Sequence, residues 1–140
     1  MNYIQKCLLL FLISILVTGC SNSKRKLLAS NQSQVELRNI QTRAFDTTNK
    51  NKTLRTVIAT LQDLGFVVDR ADEVLGTVSG TKLDGYRLRI TVSVRPRGDT
   101  QLLIRANAQY NLSTVEEPII YQDFFTSLSK AMFLSAHSVE

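Results

Sequence analysis

The chain has 140 residues, 44% of them hydrophobic, and a formal net charge of +5. This length suits one domain rather than two, and the mild positive charge is far from the strongly basic character of nucleic-acid-binding proteins. Cys7 and Cys20 are its two cysteines, and His137, close to the C-terminus, is its one histidine. Neither cysteine belongs to the part of the chain after residue 33, so a disulfide or a cysteine metal site is not expected there, and a single histidine near the C-terminus is a poor base for a nucleophile–base pair. The sequence therefore predicts a non-enzymatic protein without a cofactor or a metal.

The N-terminal segment has the three parts of a secretory signal. Lys6 gives a positive start, residues 7–17 (CLLLFLISILV) form an apolar run, and Val17-Thr18-Gly19-Cys20 follows at its end. The run is shorter than the roughly twenty apolar residues that a membrane-spanning helix needs. A plain secretory signal with a coincidental cysteine is the remaining alternative.

The ending Val-Thr-Gly-Cys resembles the lipobox of bacterial lipoproteins. The resemblance implies that residues 1–19 are a cleaved signal peptide and that Cys20 carries the lipid, palmitate included. Ser21 stands where an Asp favours the inner membrane in enterobacterial lipoproteins, so the outer membrane is expected, with the domain facing the periplasm. Cleavage removes one basic residue, Lys6, which leaves 16 basic against 12 acidic residues and a net charge of +4.

Residues 20–33 are predicted to be the lipidated cysteine and a flexible tether, because the stretch is polar, basic and without apolar periodicity. Its Lys24-Arg25-Lys26 run would lie close to lipid headgroups, or would simply be solvated. A single domain is expected over residues 34–140. Its first predicted element is a strand over Val35–Phe45, with a bulge near Arg38-Asn39 where the alternation changes phase.

A helix is predicted next. Asp46–Asn49 supplies capping side chains, and Gly65 suits a left-handed residue at the helix end. The apolar stripe of this helix repeats at helical spacing and comprises Leu54, Val57, Ile58, Leu61 and Leu64. Phe66–Val68 and Leu75–Thr81 then predict two short strands, separated by polar residues.

The clearest pattern in the domain is a β-hairpin. Apolar and polar residues alternate through 86–95 and again through 101–110, on either side of the turn Pro96–Asp99. One face of the hairpin is therefore apolar. The other is polar and carries four arginines, namely Arg87, Arg89, Arg95 and Arg105.

Glu116-Glu117-Pro118 predicts the start of a final helix, since carboxylates and proline favour a first turn. Its broad apolar stripe extends from Ile120 to Met132. The order β-α-β-β-β-β-α then predicts an α+β fold in two layers, with a mainly antiparallel sheet carrying two helices on one face.

Several segments of the domain look like a group of small lipoproteins of Gram-negative bacteria to which no activity is assigned: Gln41–Thr48, Leu61–Phe66, Tyr121–Phe125 and Leu128–Lys130. The resemblance implies an envelope location and carries no active site. The order of elements is also similar to the helix-grip domains in the C lipoprotein of the outer-membrane barrel-assembly machinery. That second likeness is one of topology, which does not fix function.

Two surfaces are candidates for binding a protein partner in an envelope complex for transport, secretion or barrel assembly. One is the sheet face with the four arginines, which can bind carboxylates. The other is the last helix, where Phe133 widens the apolar stripe. The alternatives are a solvated face and a helix buried as core. A different function, binding of a small apolar ligand or lipid under the last helix, would use Tyr86, Tyr110 and Phe125.

Overall fold

A computed structural model of the chain describes residues 33–83 and 85–137. The predicted signal peptide, Cys20 and the tether up to residue 32 lie outside the described residues, as does Asp84. The chain divides into two compact units, one ending at Glu36 and the other beginning at Leu37. Of the first unit only residues 33–36 are described, and they are helical. The second unit contains the sheet and the core.

Three helices and six strands make up the described chain. In chain order they are α1 (33–40), β1 (Thr42–Phe45), α2 (Lys50–Asp63), β2 (Val67–Asp72), β3 (Thr77–Leu83), β4 (Arg87–Arg97), β5 (Gln101–Tyr110), β6 (Ser113–Thr114) and α3 (Pro118–His137).

The six strands form one sheet in the order β1-β5-β4-β3-β2, and β6 pairs with β5 beyond the end of β1. Every pairing is antiparallel. The helices contribute their apolar residues to the same core as one face of the sheet. The predicted α+β class with a mainly antiparallel sheet is therefore confirmed.

The predicted hairpin is formed by β4 and β5. Ile90 pairs with Ala108, and Val94 pairs with Ile104, and all four side chains are buried. Since side chains alternate across a strand, the residues between them point the other way. We call the buried side of the sheet the inner face and the opposite side the outer face.

Helix α2 begins and ends where its sequence predicts. The Asn49 side chain accepts a hydrogen bond from the backbone N–H of Lys52 at 2.9 Å, which caps the helix. Leu54, Val57 and Leu61 are buried against the sheet. Gly65 has a φ of +82°, the left-handed conformation that ends a helix.

Helix α3 supplies the largest buried side chains of the core. Tyr121, Phe124, Phe125 and Leu128 are at most 1% exposed, and their spacing places them on one face of the helix. α3 packs against α2 as well as contributing to the core under the sheet. The helical layer therefore covers the inner face.

The prediction of a strand over Val35–Phe45 is wrong for its first half. Residues 33–40 are helical, and the strand is limited to Thr42–Phe45. Leu37 and Ile40, three residues apart, pack against the core, whereas Val35 is 56% exposed. Helix spacing therefore accounts for the apolar residues better than alternation does, and the phase change marks a helix-to-strand junction rather than a bulge.

The two short strands after α2 are longer and placed later than predicted. β2 continues through polar residues to Asp72, and β3 extends from Thr77 to Leu83. The β2–β3 register shifts between Val68 and Arg70, which leaves Asp69 as an extra residue in β2. Polar side chains are tolerated in β2 because it is an edge strand whose outer side faces solvent.

Candidate interaction surfaces

The outer face of the sheet carries all four arginines that the sequence indicated. Arg105 pairs with Ser93, Arg95 with Leu103, and Arg89 with Gln109, all pointing away from the buried residues of the hairpin. No described residue of the outer face of β4 or β5 is buried. This face is therefore open to solvent in the described part of the chain.

The four arginines form two groups rather than one. Arg87 and Arg89 lie near the start of β4, whereas Arg95 and Arg105 are diagonal neighbours near its other end. Arg95 is six positions after Arg89, which corresponds to about 20 Å along a strand. Thr91 and Ser93 occupy the outer face between the two groups.

Two carboxylates partly offset this positive charge. The Nε of Arg89 lies 3.9 Å from Oδ2 of Asp69, the extra residue of β2, and this oxygen also accepts a hydrogen bond from the Thr81 hydroxyl at 2.6 Å. Arg70 contacts Asp72 at 3.4 Å. Exposed pairs of this kind contribute little to stability, but they lower the positive potential at the β2 side of the face.

Arg105 differs from Arg87, Arg89 and Arg95 because its guanidinium contacts a buried side chain. Its guanidinium donates a hydrogen bond to the side-chain oxygen of Gln41 at 3.2 Å, and Gln41 is 1% exposed. The Gln41 amide in turn donates to the Tyr121 hydroxyl at 3.2 Å, and that hydroxyl donates to the backbone oxygen of Val115 at 2.6 Å. Arg105 is therefore part of a structural network.

Sequence reasoning identified Arg105 as a surface arginine but missed the network to which it belongs. Gln41 lies at the junction between α1 and β1, within the segment that the alternation predicts to be continuous strand. The one available signal was Tyr121, whose position in the apolar stripe of α3 buries a hydroxyl that then needs a partner. Which partner it finds depends on contacts between residues 80 positions apart.

Phe133 lies in the helical layer, away from the arginines of the outer face. Its side chain is 65% exposed and borders a cavity of about 320 Å³ at the start of α2. Phe45, Asp46, Thr47, Lys52, Thr53 and Met132 form the rest of its lining. The structure therefore places the two candidate surfaces in different layers of the domain.

The three aromatic residues considered for a ligand site are divided between the sheet end and the core. Tyr86 and Tyr110 pack edge to face with ring centroids 4.6 Å apart. Phe125 is fully buried, where it contacts Phe124 and lies under the guanidinium of Arg43, 4.9 Å from its ring centroid. Burial of Tyr110, together with its hydrogen bond to Tyr86, raises its pKa to about 12.

A cleft that is not lined by Tyr86, Tyr110 or Phe125 lies between the end of α2, the start of α3 and strands β3 and β4. Its volume is about 150 Å³, and Lys82 and Asp123 provide its charged groups. The Lys82 ammonium donates to the backbone oxygen of Leu64 at 3.2 Å, a favourable position for a cation at a helix C-terminus. The apolar lining comprises Leu64, Phe66, Leu88, Ile90, Ile120 and Phe124.

Within residues 33–83 and 85–137, no group of three or more His, Cys, Asp and Glu side chains is placed to hold a metal ion. No helix in this part of the chain is both long enough and apolar enough to cross a membrane. Compared with known proteins, the chain matches no protein-family model and no curated protein.

Proposed function

We propose that this chain is a non-enzymatic lipoprotein of the bacterial outer membrane, whose domain faces the periplasm and binds an acidic surface of a protein partner in an envelope complex. The observation that carries the proposal is the outer face of the sheet. It is open to solvent, and the pairing places six arginines on it against two aspartates; the arginines are Arg70, Arg87, Arg89, Arg95, Arg97 and Arg105, and the aspartates are Asp69 and Asp72.

The charge excess of this face favours carboxylates as its ligand. Asp69 and Asp72 each lie beside one arginine, so most of the positive charge has no acidic neighbour within the described face. Arginine presents a planar donor fork that binds carboxylates in a bidentate manner. Two arginine groups about 20 Å apart would contact two separate acidic positions and so define the orientation of the partner.

The proposed anchor rests on the Val-Thr-Gly-Cys sequence that ends at Cys20. Each buried methylene of an acyl chain contributes about 0.8 kcal/mol, and a single chain binds a membrane only marginally. Lipoproteins of this class carry two or three chains, which makes their attachment effectively permanent. Metabolic labelling with palmitate tests the anchor: wild type is expected to be labelled and Cys20→Ser is not. Labelling of both proteins would refute it.

The binding surface is tested with two charge-matched double variants. Arg87→Glu/Arg95→Glu changes one arginine of each group, neither of which belongs to the Gln41 network. Arg55→Glu/Lys130→Glu makes the same change in charge at exposed positions of the helical layer. In crosslinking from intact envelopes, the first variant is expected to lose the partner and the second to retain it. Equal recovery of the crosslinked partner by both variants would exclude the outer face as its binding surface.

A second candidate function, binding of a small apolar molecule, is favoured by the cleft between α2 and α3. Six apolar side chains line it, and Lys82 and Asp123 are its charged groups. Its volume of about 150 Å³ would accept a short apolar group rather than a whole lipid. Mass spectrometry of organic extracts from the purified protein tests this function. A ligand that is present in wild type and lost from Ile120→Trp, which fills the cleft, would support it.

A further inference from the structure

One end of the sheet exposes apolar side chains at three separate turns, whereas the opposite end exposes two, Val74 and Leu75, in the single turn between β2 and β3. The residues lie where β3 ends, before β4 begins, after β5 ends and where α3 begins: Leu83 is 79% exposed, Tyr86 53%, Leu112 95% and Ile119 58%. Chain turns at a protein surface are usually polar and rich in glycine. We call these four residues the apolar end.

The residues of the apolar end belong to neighbouring turns. Leu83 pairs with Arg87 across β3 and β4, and the N–H of Asn111, beside Leu112, donates to the backbone oxygen of Arg87 at 2.9 Å. Tyr86 contacts the ring of Tyr110, the last residue of β5. The β3–β4 and β5–β6 turns therefore lie side by side.

Ile119 lies at the same end of the domain, as the contacts of its neighbour Ile120 show. Ile120 lines the cleft between α2 and α3 together with Leu88, and Leu88 pairs with Tyr110. The first turn of α3 is thus close to the ends of β4 and β5. Three separate turns project apolar side chains from one end of the domain.

The charges at this end largely offset one another. Lys82 and Arg87 belong to the ends of β3 and β4, and the acidic pair Glu116-Glu117 precedes α3 at the same end. Attraction to anionic groups therefore does not dominate, and the apolar side chains decide what this end binds. Leu112 is 95% exposed, and exposed apolar groups of this kind mark sites of protein or membrane contact; the proposed anchor at Cys20 favours the membrane. Tyrosine is favoured at the boundary between headgroups and acyl chains.

We propose that the apolar end lies against the phospholipid bilayer, with Leu83 and Leu112 reaching the acyl boundary and Tyr86 at the level of the headgroups. This inference rests on the proposed lipid anchor at Cys20, which holds the domain near a bilayer. Only thirteen residues separate Cys20 from Gln34, where the predicted domain begins. A bilayer contact at this end would place Arg87, which pairs with Leu83, near the membrane and direct the strands away from it, so that the group formed by Arg95 and Arg105 stays accessible to a periplasmic partner.

The test uses the fact that the chain contains no tryptophan, so that one introduced tryptophan reports on one position. Leu112→Trp places it in the apolar end. Val74→Trp is the matched control, because Val74 is 89% exposed in the β2–β3 turn at the opposite end of the sheet. Each full-length lipidated variant is reconstituted into vesicles of phosphatidylethanolamine and phosphatidylglycerol that contain lipids with brominated acyl chains.

The expected result is a blue-shifted emission and several-fold stronger quenching for Leu112→Trp than for Val74→Trp. Leu83→Trp is expected to show the same emission shift and quenching as Leu112→Trp, so that the result does not depend on a single substitution. Equal quenching at both ends, or stronger quenching of Val74→Trp, would overturn the inference.

Co-sedimentation of the same samples with the vesicles distinguishes this inference from the proposed function. A chain that sediments, while Leu112→Trp stays unquenched, would be anchored with its apolar end away from the bilayer. Such a result overturns the inference and leaves the anchor intact. A chain that fails to sediment refutes the anchor, and the bilayer contact that rests on it then fails as well.

Discussion

The side-chain amide of Gln41 donates a hydrogen bond to the hydroxyl of Tyr121 across 3.2 Å in the interior of the domain. Gln41 is 1% exposed and Tyr121 is fully buried. The same hydroxyl accepts from the backbone N–H of Ala108 at 3.3 Å and donates to the backbone oxygen of Val115 at 2.6 Å. One phenol therefore connects α3 with β5, with the segment after β6 and with the entry to β1.

Removing this hydroxyl with Tyr121→Phe is expected to lower the free energy of unfolding by about 2–3 kcal/mol, because buried polar groups on three segments lose a partner. Urea unfolding followed by circular dichroism measures the change. Tyr86→Phe is the control, since its ring is half exposed and water can replace its hydroxyl contacts; a change within about 0.5 kcal/mol is expected. Equal effects of the two variants would contradict the network.

Arg105 should contribute more to the stability of the domain than Arg95, although both lie on the outer face. Arg105→Ala leaves the buried side-chain oxygen of Gln41 without its donor, so a loss of about 1–2 kcal/mol is expected. Arg95→Ala, at an exposed position, should change the stability by less than about 0.5 kcal/mol. Thermal unfolding of both variants tests this difference, and a loss for Arg95→Ala as large as that for Arg105→Ala would contradict it.

Regular patterns in the sequence predicted the elements that form the core. The alternation on both sides of Pro96–Asp99 gave the β4–β5 hairpin with its correct faces. The stripe that includes Leu54, Val57 and Leu61 gave α2, and Pro118 marked the start of α3. These patterns extend over ten or more residues, so burial of one face decides the structure.

Short or irregular segments could not be assigned in this way. Val35 and Leu37 alternate for one period only, which is compatible with a strand or a helix, and tertiary packing of Leu37 and Ile40 selects the helix. The partners of Gln41 and the division of the arginines into two groups depend on strand pairing between distant residues. Alternation identifies the face of each arginine but not its distance from the next group.

The raised pKa of the Tyr110 hydroxyl predicts how the stability of the protein changes at alkaline pH. Its pKa is raised from 10.0 to about 12 in the folded protein, so the unfolded chain loses this proton first. The stabilising contribution is therefore complete below about pH 10 and is lost as the pH rises through about 12. Urea unfolding at about pH 9 and about pH 11 should show a smaller loss of stability for Tyr110→Phe than for wild type. An identical loss in both proteins would contradict the raised pKa.

Gly76 is expected to be the glycine least tolerant of substitution among those with positive φ. Its φ is +68°, and an added Cβ would lie 2.5 Å from the backbone oxygen of Val94 and 2.6 Å from Cε of Lys50. The backbone oxygen of Gly76 also accepts the N–H of Val94 at 2.8 Å, so the turn cannot move away without losing this bond.

Gly98 provides the matched control, with a φ of +60° and no atom within 4 Å of an added Cβ. Gly98→Ala should therefore cost only the left-handed backbone strain, about 1 kcal/mol. Gly76→Ala adds the clash with backbone and should cost about 3 kcal/mol or more. The free energy of unfolding of both variants in urea measures the difference. Equal costs would mean that the β2–β3 turn can move away from β4, contrary to the contact between Gly76 and Val94.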